Sequence, residues 1–252
     1  MFVKNLLMFA SNPFFDAYVQ SDVLGKFIFI GLIALSIISW VVLVHKVWVT
    51  YQAQKFSAVF YETFLRHRAN PLSVEFETVQ KDQCNPFYTL YSVLKRNTVD
   101  ILNKNRHFGH AGKEKKDLSF LSLSDVDFVG SQLRSAVASQ VKNLEKNLFI
   151  LATVVSLAPF LGLLGTVWGI LTTFSQLQAQ TAGSMHQMVL GGLSLALATT
   201  VLGLLDAIPA LIGYNYLKNS IRDFETEMNG FSTEILSTVE MHYRQVDLVS
   251  HD

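Results

Sequence analysis

Charge, cysteine and catalytic signatures are all scarce in this sequence. Only 16% of its 252 residues are charged, against roughly 25% in an ordinary soluble chain. The 20 basic and 20 acidic residues cancel, so there is no global field to draw in phosphates, and a nucleic-acid partner is excluded. The single cysteine, Cys84, rules out an internal disulfide framework and a multi-cysteine metal site. It reads as an incidental small residue facing a reducing cytoplasm. There is no HExxH, no GxSxG and no phosphate-binding GxxxxGKS or GxxxxGKT, and the seven histidines are scattered. Nothing therefore points to an enzyme, a metal or a cofactor.

Apolar side chains make up half of the chain, and they gather into three runs long enough to cross a bilayer. The first is uncharged from Phe27 to Val44, and Val47, Trp48 and Val49 extend it. The second is uncharged over the 28 residues from Asn147 to Phe174. As a helix it spans about 42 Å, longer than a hydrocarbon core of about 30 Å, so part of it projects beyond the lipid. The third runs from Met188 to Leu217, interrupted only by Asp206. Three such runs predict an all-α integral membrane protein with three spans.

Basic residues near the spans set the orientation. Fifteen of the 20 Lys and Arg lie between Lys46 and Lys146, and the connection from Ser175 to Gln187 has none. His45 and Lys46, Lys142 and Lys146, and Lys218 and Arg222 all mark the same side. The long segment and the C-terminal tail are thus expected inside, with the N-terminus and the short loop outside. The expected divisions are an N-terminal segment 1–23, a first span 24–50, a cytoplasmic helical segment 51–146, the second and third spans 147–217, and a C-terminal helix 218–252.

The opening MFVKNLLMFASNPFFDAY has an apolar core too short for a signal peptide. It predicts a short interfacial helix with Phe14, Phe15 and Tyr18 at headgroup level. The long segment is patterned for helices, with Phe56, Phe60 and Phe64 four residues apart. Val126, Val129, Leu133, Val137, Val141 and Leu144 form a stripe that feeds directly into the second span. Between them Asn97 to Lys116 is polar and basic, an expected exposed turn region. In the tail Ile221, Phe224, Met228, Phe231, Ile235 and Val239 form a seam that suits a partner helix.

Within the spans, Gly162, Gly165 and Gly169 superficially match a dinucleotide-binding glycine pattern, but no strand precedes them and no ribose-binding acid follows. Close helix packing accounts for them better, because Gly165 and Gly169 form a GxxxG. Pro159 and Pro209 each remove a backbone hydrogen bond and should kink their helices, either as tolerated membrane prolines or as bends lining a cavity. Thr166 and Thr200 lie at similar depths below the outer surface, roughly 13 to 17 Å. Their hydroxyls have two readings, a relay of protons through water or bonds to their own i−4 carbonyls. Asp206 is the one acid in the spans, and an ionised carboxylate in lipid is costly, so it must face protein or water or be protonated. It is either a hydrated or Lys-paired acid near the inner boundary or the inner mouth of a polar track along the face of Leu195 and Thr199.

The stretch LEKNLFILATVVSLAPFLGLLGTVWGILTTF, from Leu144 to Phe174, resembles the signature of the TolQ/ExbB/MotA proton-channel family, especially TolQ and ExbB. GGLSLALATTVLGLLDAIPALIGYN, from Gly191, is similar to the family's companion segment, and SIISWVVLVHK, from Ser36, is similar to the TolQ first span. The resemblance covers about half of the chain. It implies a multi-pass protein of the bacterial inner membrane that forms a homopentameric ring, its long helices extending into the cytoplasm. The second and third helices would line a pore around single-span partners of the TolR or ExbD type, whose intramembrane aspartate binds the proton. Proton flow would drive a TolA-like or TonB-like protein across the envelope. Thr166 and Thr200 match the threonines of the family's proton path, and Pro159, Gly162, Gly165, Gly169, Gly203 and Pro209 match its packing and kink positions. Leu195 departs from the pattern, since TolQ and ExbB carry a glutamate there. A pathway through that carboxylate is excluded, which leaves Asp206 as a candidate substitute and a scaffold without conduction, or a flagellar-stator-like role, as alternatives.

Overall fold

The computed structural model describes residues 13–73, 85–109, 120–179 and 185–244; Cys84 and the first twelve residues lie outside them. Among the described residues six helices follow in order: α1 Pro13–Gln20, α2 Val23–Arg66, α3 Pro86–Gly109, α4 Leu123–Glu145, α5 Leu148–Ala179 and α6 Met185–Tyr243. Among the described residues there is no strand, only an isolated bridge between Leu121 and Arg244. Helices α2, α5 and α6 each hold a segment long and apolar enough to cross a membrane. At 44 and 59 residues, α2 and α6 reach about 66 and 88 Å, so each outruns the apolar run that it contains.

The chain divides into two compact units, one holding residues up to His45 and Asn147–Tyr216, the other Lys46–Lys146 and the chain from Leu217 onward. In the first, Ile28 and Leu32 of α2, Val154 and Ala158 of α5 and Ala207 and Ala210 of α6 form a buried cluster. A second cluster joins Ala17 of α1 to Phe29, Leu195 and Ala198, with Phe14 and Tyr18 packed against it. Tyr18 meets Phe29 edge to face at 6.0 Å. The short helix expected near the N-terminus is there as α1, and its Phe14 and Tyr18 pack on the spans. The opposite faces of the spans expose large apolar side chains, among them Phe27, Ile33, Trp40, Phe160, Val167, Phe174, Leu197 and Ile208. In water such faces would be untenable; in lipid they are the ordinary surface.

The second unit is built on aromatic packing. Phe60 and Phe64 of α2, Phe87 and Tyr91 of α3, and Phe224 and Phe231 of α6 are buried together. Phe87 stacks on Phe231 at 4.3 Å with nearly parallel rings, and Phe60 and Phe64 meet Phe231 edge-on. All six positions of the predicted α6 seam are buried, so α2 and α3 of the same chain supply the partner. The expected turn region from Asn97 is corrected: α3 runs on to Gly109. Leu94, Thr98 and Leu102 fall at four-residue steps and are buried, while the polar residues take the outer face of the helix. Residues 110–116 of that predicted region lie outside the described residues.

Helix α4 buries the stripe Val126, Val129, Leu133, Val137 and Leu144. Its N-terminus is a capping box. The Asp125 N–H donates to Ser122 Oγ at 3.2 Å, and the Ser122 N–H donates to Asp125 Oδ2 at 3.0 Å. At the other end Lys46, 6% exposed, donates from Nζ to the Leu144 carbonyl at 2.9 Å, placing a cation where the helix leaves unpaired carbonyls. The stripe does not run unbroken into the second span, because Asn147 adopts φ 70° between α4 and α5. Asparagine tolerates this left-handed conformation better than most residues.

The Thr98 hydroxyl is buried with no hydrogen-bond partner. Thr98→Val keeps the shape and removes the desolvation cost, so it should raise thermal stability by about 1 kcal/mol, measured by circular dichroism in detergent. Burial raises the Asp125 pKa, but hydrogen bonds from the Ser122 backbone and hydroxyl and from Asn105, with the nearby Lys104 charge, outweigh it and hold the carboxyl below its usual value. Its contribution is therefore present above pH about 4 and lost as pH falls through the depressed folded value. Ser122→Ala should cost about 1 kcal/mol at pH 7, and Asp125→Asn should flatten the acid limb of the stability profile.

The interface between the second and third spans as candidate functional site

Small residues recur along the facing sides of α5 and α6: Ala158, Gly162, Gly165, Gly169 and Thr173 on one, Gly192, Ala196, Thr199 and Gly203 on the other. Their steps of three or four residues keep each row on one helical face. The rows pair antiparallel, with Gly203 opposite Ala158 and Gly192 opposite Gly169 and Thr173. A Cβ on Gly203 would stand 2.6 Å from the Ala158 carbonyl oxygen, and one on Gly169 2.8 Å from that of Gly192. A Cβ on Gly165 would stand 2.6 Å from Thr199 Cβ. At Gly162, Gly169 and Gly203 the main chains of α5 and α6 therefore touch, while Gly165 and Gly192 make room for the side chains of Thr199 and Thr173 from the opposite helix.

That closeness brings hydroxyls of one helix to carbonyls of the other. The Gly162 carbonyl accepts from Thr200 Oγ1 at 3.3 Å and from Thr199 Oγ1 at 3.5 Å. Thr200 also lies 3.4 Å from its own i−4 carbonyl, Ala196. Thr166, one turn along α5 from Gly162, donates to the Leu163 carbonyl at 2.6 Å. The hydroxyls of Thr166 and Thr200 thus bond to consecutive carbonyls of a single α5 turn, and both side chains are half-buried. Each hydroxyl keeps its lone pairs for a further donor.

The other sequence candidates lie elsewhere in the unit. Pro159 is half-buried next to Ala158, and Pro209 lies between Ile208 and the buried Ala210; both sit inside continuous helices. Asp206 is half-buried, and the Ser36 hydroxyl of the first span hydrogen-bonds its carboxylate. Its partner is thus a serine, not a lysine. Leu195 is 3% exposed within the apolar cluster with Ala17 and Phe29. Thr199 is fully buried, its hydroxyl spent on the carbonyls of Gly162, Leu195 and Ala196. Asp206, Leu195 and Thr199 thus meet three different neighbours.

Several contributors were not singled out from sequence. Gly192 and Thr173 extend the small-residue rows, and Thr173 Oγ1 donates to the Gly169 carbonyl at 2.7 Å. Gly213 abuts Leu43 of the first span. Trp168 Nε1 donates to Asp22 Oδ2 at 2.8 Å, while Asp22 Oδ1 accepts from the Gly25 N–H at 2.9 Å near the start of α2. The spacing of Gly192, Ala196 and Thr199 was a usable signal; the Asp22–Trp168 pair, 146 residues apart, had none.

The model of the MotA/TolQ/ExbB proton channel family matches residues 102–230, a range that includes α4, α5 and the apolar part of α6. The chain belongs to that family. It is 28% identical to the Tol-Pal system protein TolQ of Haemophilus influenzae over 240 residues, covering 90% of this chain and 93% of that protein. It is 29% identical to the biopolymer transport protein ExbB of Pseudomonas putida over 223 residues, 88% of this chain and 62% of that one. A shorter stretch of 82 residues, 32% of this chain and 55% of the other, is 48% identical to ExbB of Aquifex aeolicus. Membership and three apolar helices make this a membrane protein of the TolQ/ExbB kind.

Replacing Gly165 should separate α5 from α6. Gly165→Ala is expected to destabilise the three-span unit by about 1–3 kcal/mol, the ordinary range for overpacking. Gly31→Ala, whose Cβ would meet nothing within 4 Å, should be neutral or slightly stabilising. Unfolding in mixed micelles, followed by circular dichroism, distinguishes the two.

Proposed function

We propose that this protein is the inner-membrane subunit of a motor driven by the proton-motive force, of the TolQ/ExbB type. It couples proton flow to mechanical work on a TolA-like or TonB-like protein of the envelope. In this reading it forms a pentameric ring with its N-terminus periplasmic and its C-terminus cytoplasmic. Two copies of a TolR-like or ExbD-like single-span partner sit within the ring and bring the intramembrane aspartate that binds the proton. The role is non-catalytic: protons move and helices shift, each O–H bond made on the partner's carboxyl is broken again as the proton leaves, and no substrate is transformed.

The observation that carries this reading is the convergence of the Thr166 and Thr200 hydroxyls on the Leu163 and Gly162 carbonyls. It offers a partner carboxyl, or a water beside it, fixed polar groups in otherwise apolar helices. Leu195, packed among Ala17 and Phe29, has no proton to give, so the principal acid is the partner's. Asp206, held by Ser36, is assigned to the inner end of the path. Pro159, Pro209 and the glycines Gly162, Gly165, Gly169 and Gly203 keep the two helices bent and closely packed around it. Each proton crossing 100 mV releases about 2.3 kcal/mol, comparable to the hydrogen bonds and packing that a small helix shift would exchange.

The competing reading is a scaffold without conduction, and Leu195 is the residue in its favour. Co-purification with the single-span partner and proton flux in liposomes separate the two. The wild-type complex should conduct. Thr200→Val, which keeps the shape and removes the hydroxyl, should lower flux about tenfold or more, the effect of losing about 1.4 kcal/mol at the barrier. Wild-type complexes that assemble with the partner yet leave liposomes proton-tight establish the scaffold. Unchanged flux in Asp206→Asn removes that residue from the path.

A further inference from the structure

In the second unit a cavity of about 490 Å³ opens between α2 and α6, within the range of ligand sites. Phe87 and Phe231, stacked and buried, form its apolar floor. Gln54, Ser57 and Tyr61 of α2 line one wall and Glu227 and Glu234 of α6 the other. Gly230 lies between the two glutamates, and a Cβ there would meet nothing within 4 Å. Among the described residues no Lys or Arg lines the cavity, although the Arg68 charge acts on Tyr61.

Its hydrogen-bonding groups are unbalanced in one direction. The Tyr61 hydroxyl donates to Glu234 Oε2 at 2.9 Å, the Gln54 amide nitrogen donates to Ser220 Oγ at 3.1 Å, and the Ser57 hydroxyl donates to Asn85 Oδ1 at 3.3 Å. The Tyr61 and Ser57 hydroxyls and one Gln54 N–H are thus engaged, while two carboxylates and the Gln54 carbonyl oxygen provide acceptors. A ligand that suits this lining brings donors and positive charge and tolerates an aromatic floor. A guanidinium meets these conditions, with five N–H groups, a permanent charge and a weakly hydrated planar head. Between Arg222 and Arg244 helix α6 carries five acids, Asp223, Glu225, Glu227, Glu234 and Glu240, of which Glu240 is paired with Arg244, so an acidic excess remains around the cavity. Glu227 and Glu234 are seven residues apart, a rise of about 10.5 Å, too long for a single guanidinium and suited to a segment of chain.

We propose that this cavity is a docking site for an arginine-bearing extended segment of a partner polypeptide. The site does not depend on whether the spans conduct protons. Its test uses the full-length protein in zwitterionic phosphatidylcholine nanodiscs and a fluorescein-labelled peptide Gly-Arg-Gly-Arg-Gly, with lysine and citrulline counterparts, read by fluorescence anisotropy. The arginine peptide should bind in a salt-sensitive way. The citrulline peptide should bind about tenfold or more weakly, the loss expected when charged hydrogen bonds are removed. The double substitution Glu227→Gln with Glu234→Gln should lose affinity to a similar degree. Gly230→Leu, which builds into open space and leaves the helix intact, should block the cavity and abolish binding, with circular dichroism confirming the fold. The proposal is overturned if Gly230→Leu binds as well as wild type, if the citrulline or lysine peptide binds as tightly, or if the arginine peptide fails to bind. Free arginine amide binding as tightly as the peptide would also overturn it, because a small guanidino compound would then be sufficient.

Discussion

Everything in the three-span unit depends on main-chain contact between α5 and α6. In lipid the hydrophobic effect does not draw helices together, so association rests on van der Waals packing and interhelical hydrogen bonds, both of which need close approach. Gly162, Gly165, Gly169, Gly192 and Gly203 supply that approach by having no side chain at the crossing. The polar geometry follows from it: Thr199 and Thr200 of α6 reach the Gly162 carbonyl of α5 only because nothing stands between the backbones. The first span then closes the unit, Ile28 and Leu32 packing on Val154, Ala158, Ala207 and Ala210. Small residues on one face and bulky exposed ones on the other thus do separate jobs, contact and lipid exposure.

The second unit obeys a different rule. There water drives apolar surfaces together, and the chain uses large aromatics where the spans use glycine. Helices α2 and α6 switch between these two chemistries without breaking, Ser39 and Gly203 giving way along the same helices to Phe60 and Phe231. Backbone hydrogen bonding is the same in both settings, so a helix can continue from one to the other while only its side chains change. The break between α4 and α5 at Asn147 is local, set by one left-handed residue and by Lys46 satisfying the Leu144 carbonyl near the end of α4.

Much of this was legible in advance. Uncharged length identified the spans, three- and four-residue spacing identified the buried stripes of α4 and α6, and the glycine spacing indicated close packing. What was misread came from polarity averaged over a window. Asn97 to Gly109 looks like a loop because most of its residues are polar, yet Thr98 and Leu102 with Leu94 are enough to seat it as a helix. That Phe14 and Tyr18 pack on Leu195 and Ala198 was not visible in the sequence, because those partners are distant in it.

The α6 seam shows the same division. Its period could be read from the residues, but whether its partner was another protein or another part of this chain depended on Phe60, Phe64 and Phe87 being folded against it. For the polar residues the gap is wider still. Helical periodicity puts Leu195, Thr199 and Asp206 on one face, while the fold gives them an apolar cluster, a set of carbonyls and a serine as neighbours. Composition and spacing are local properties of the chain, so they determined how many helices span, which faces bury and where backbones can touch. Which polar group meets which is set by pairing across 38 to 173 residues of sequence, and only the tertiary structure decided it.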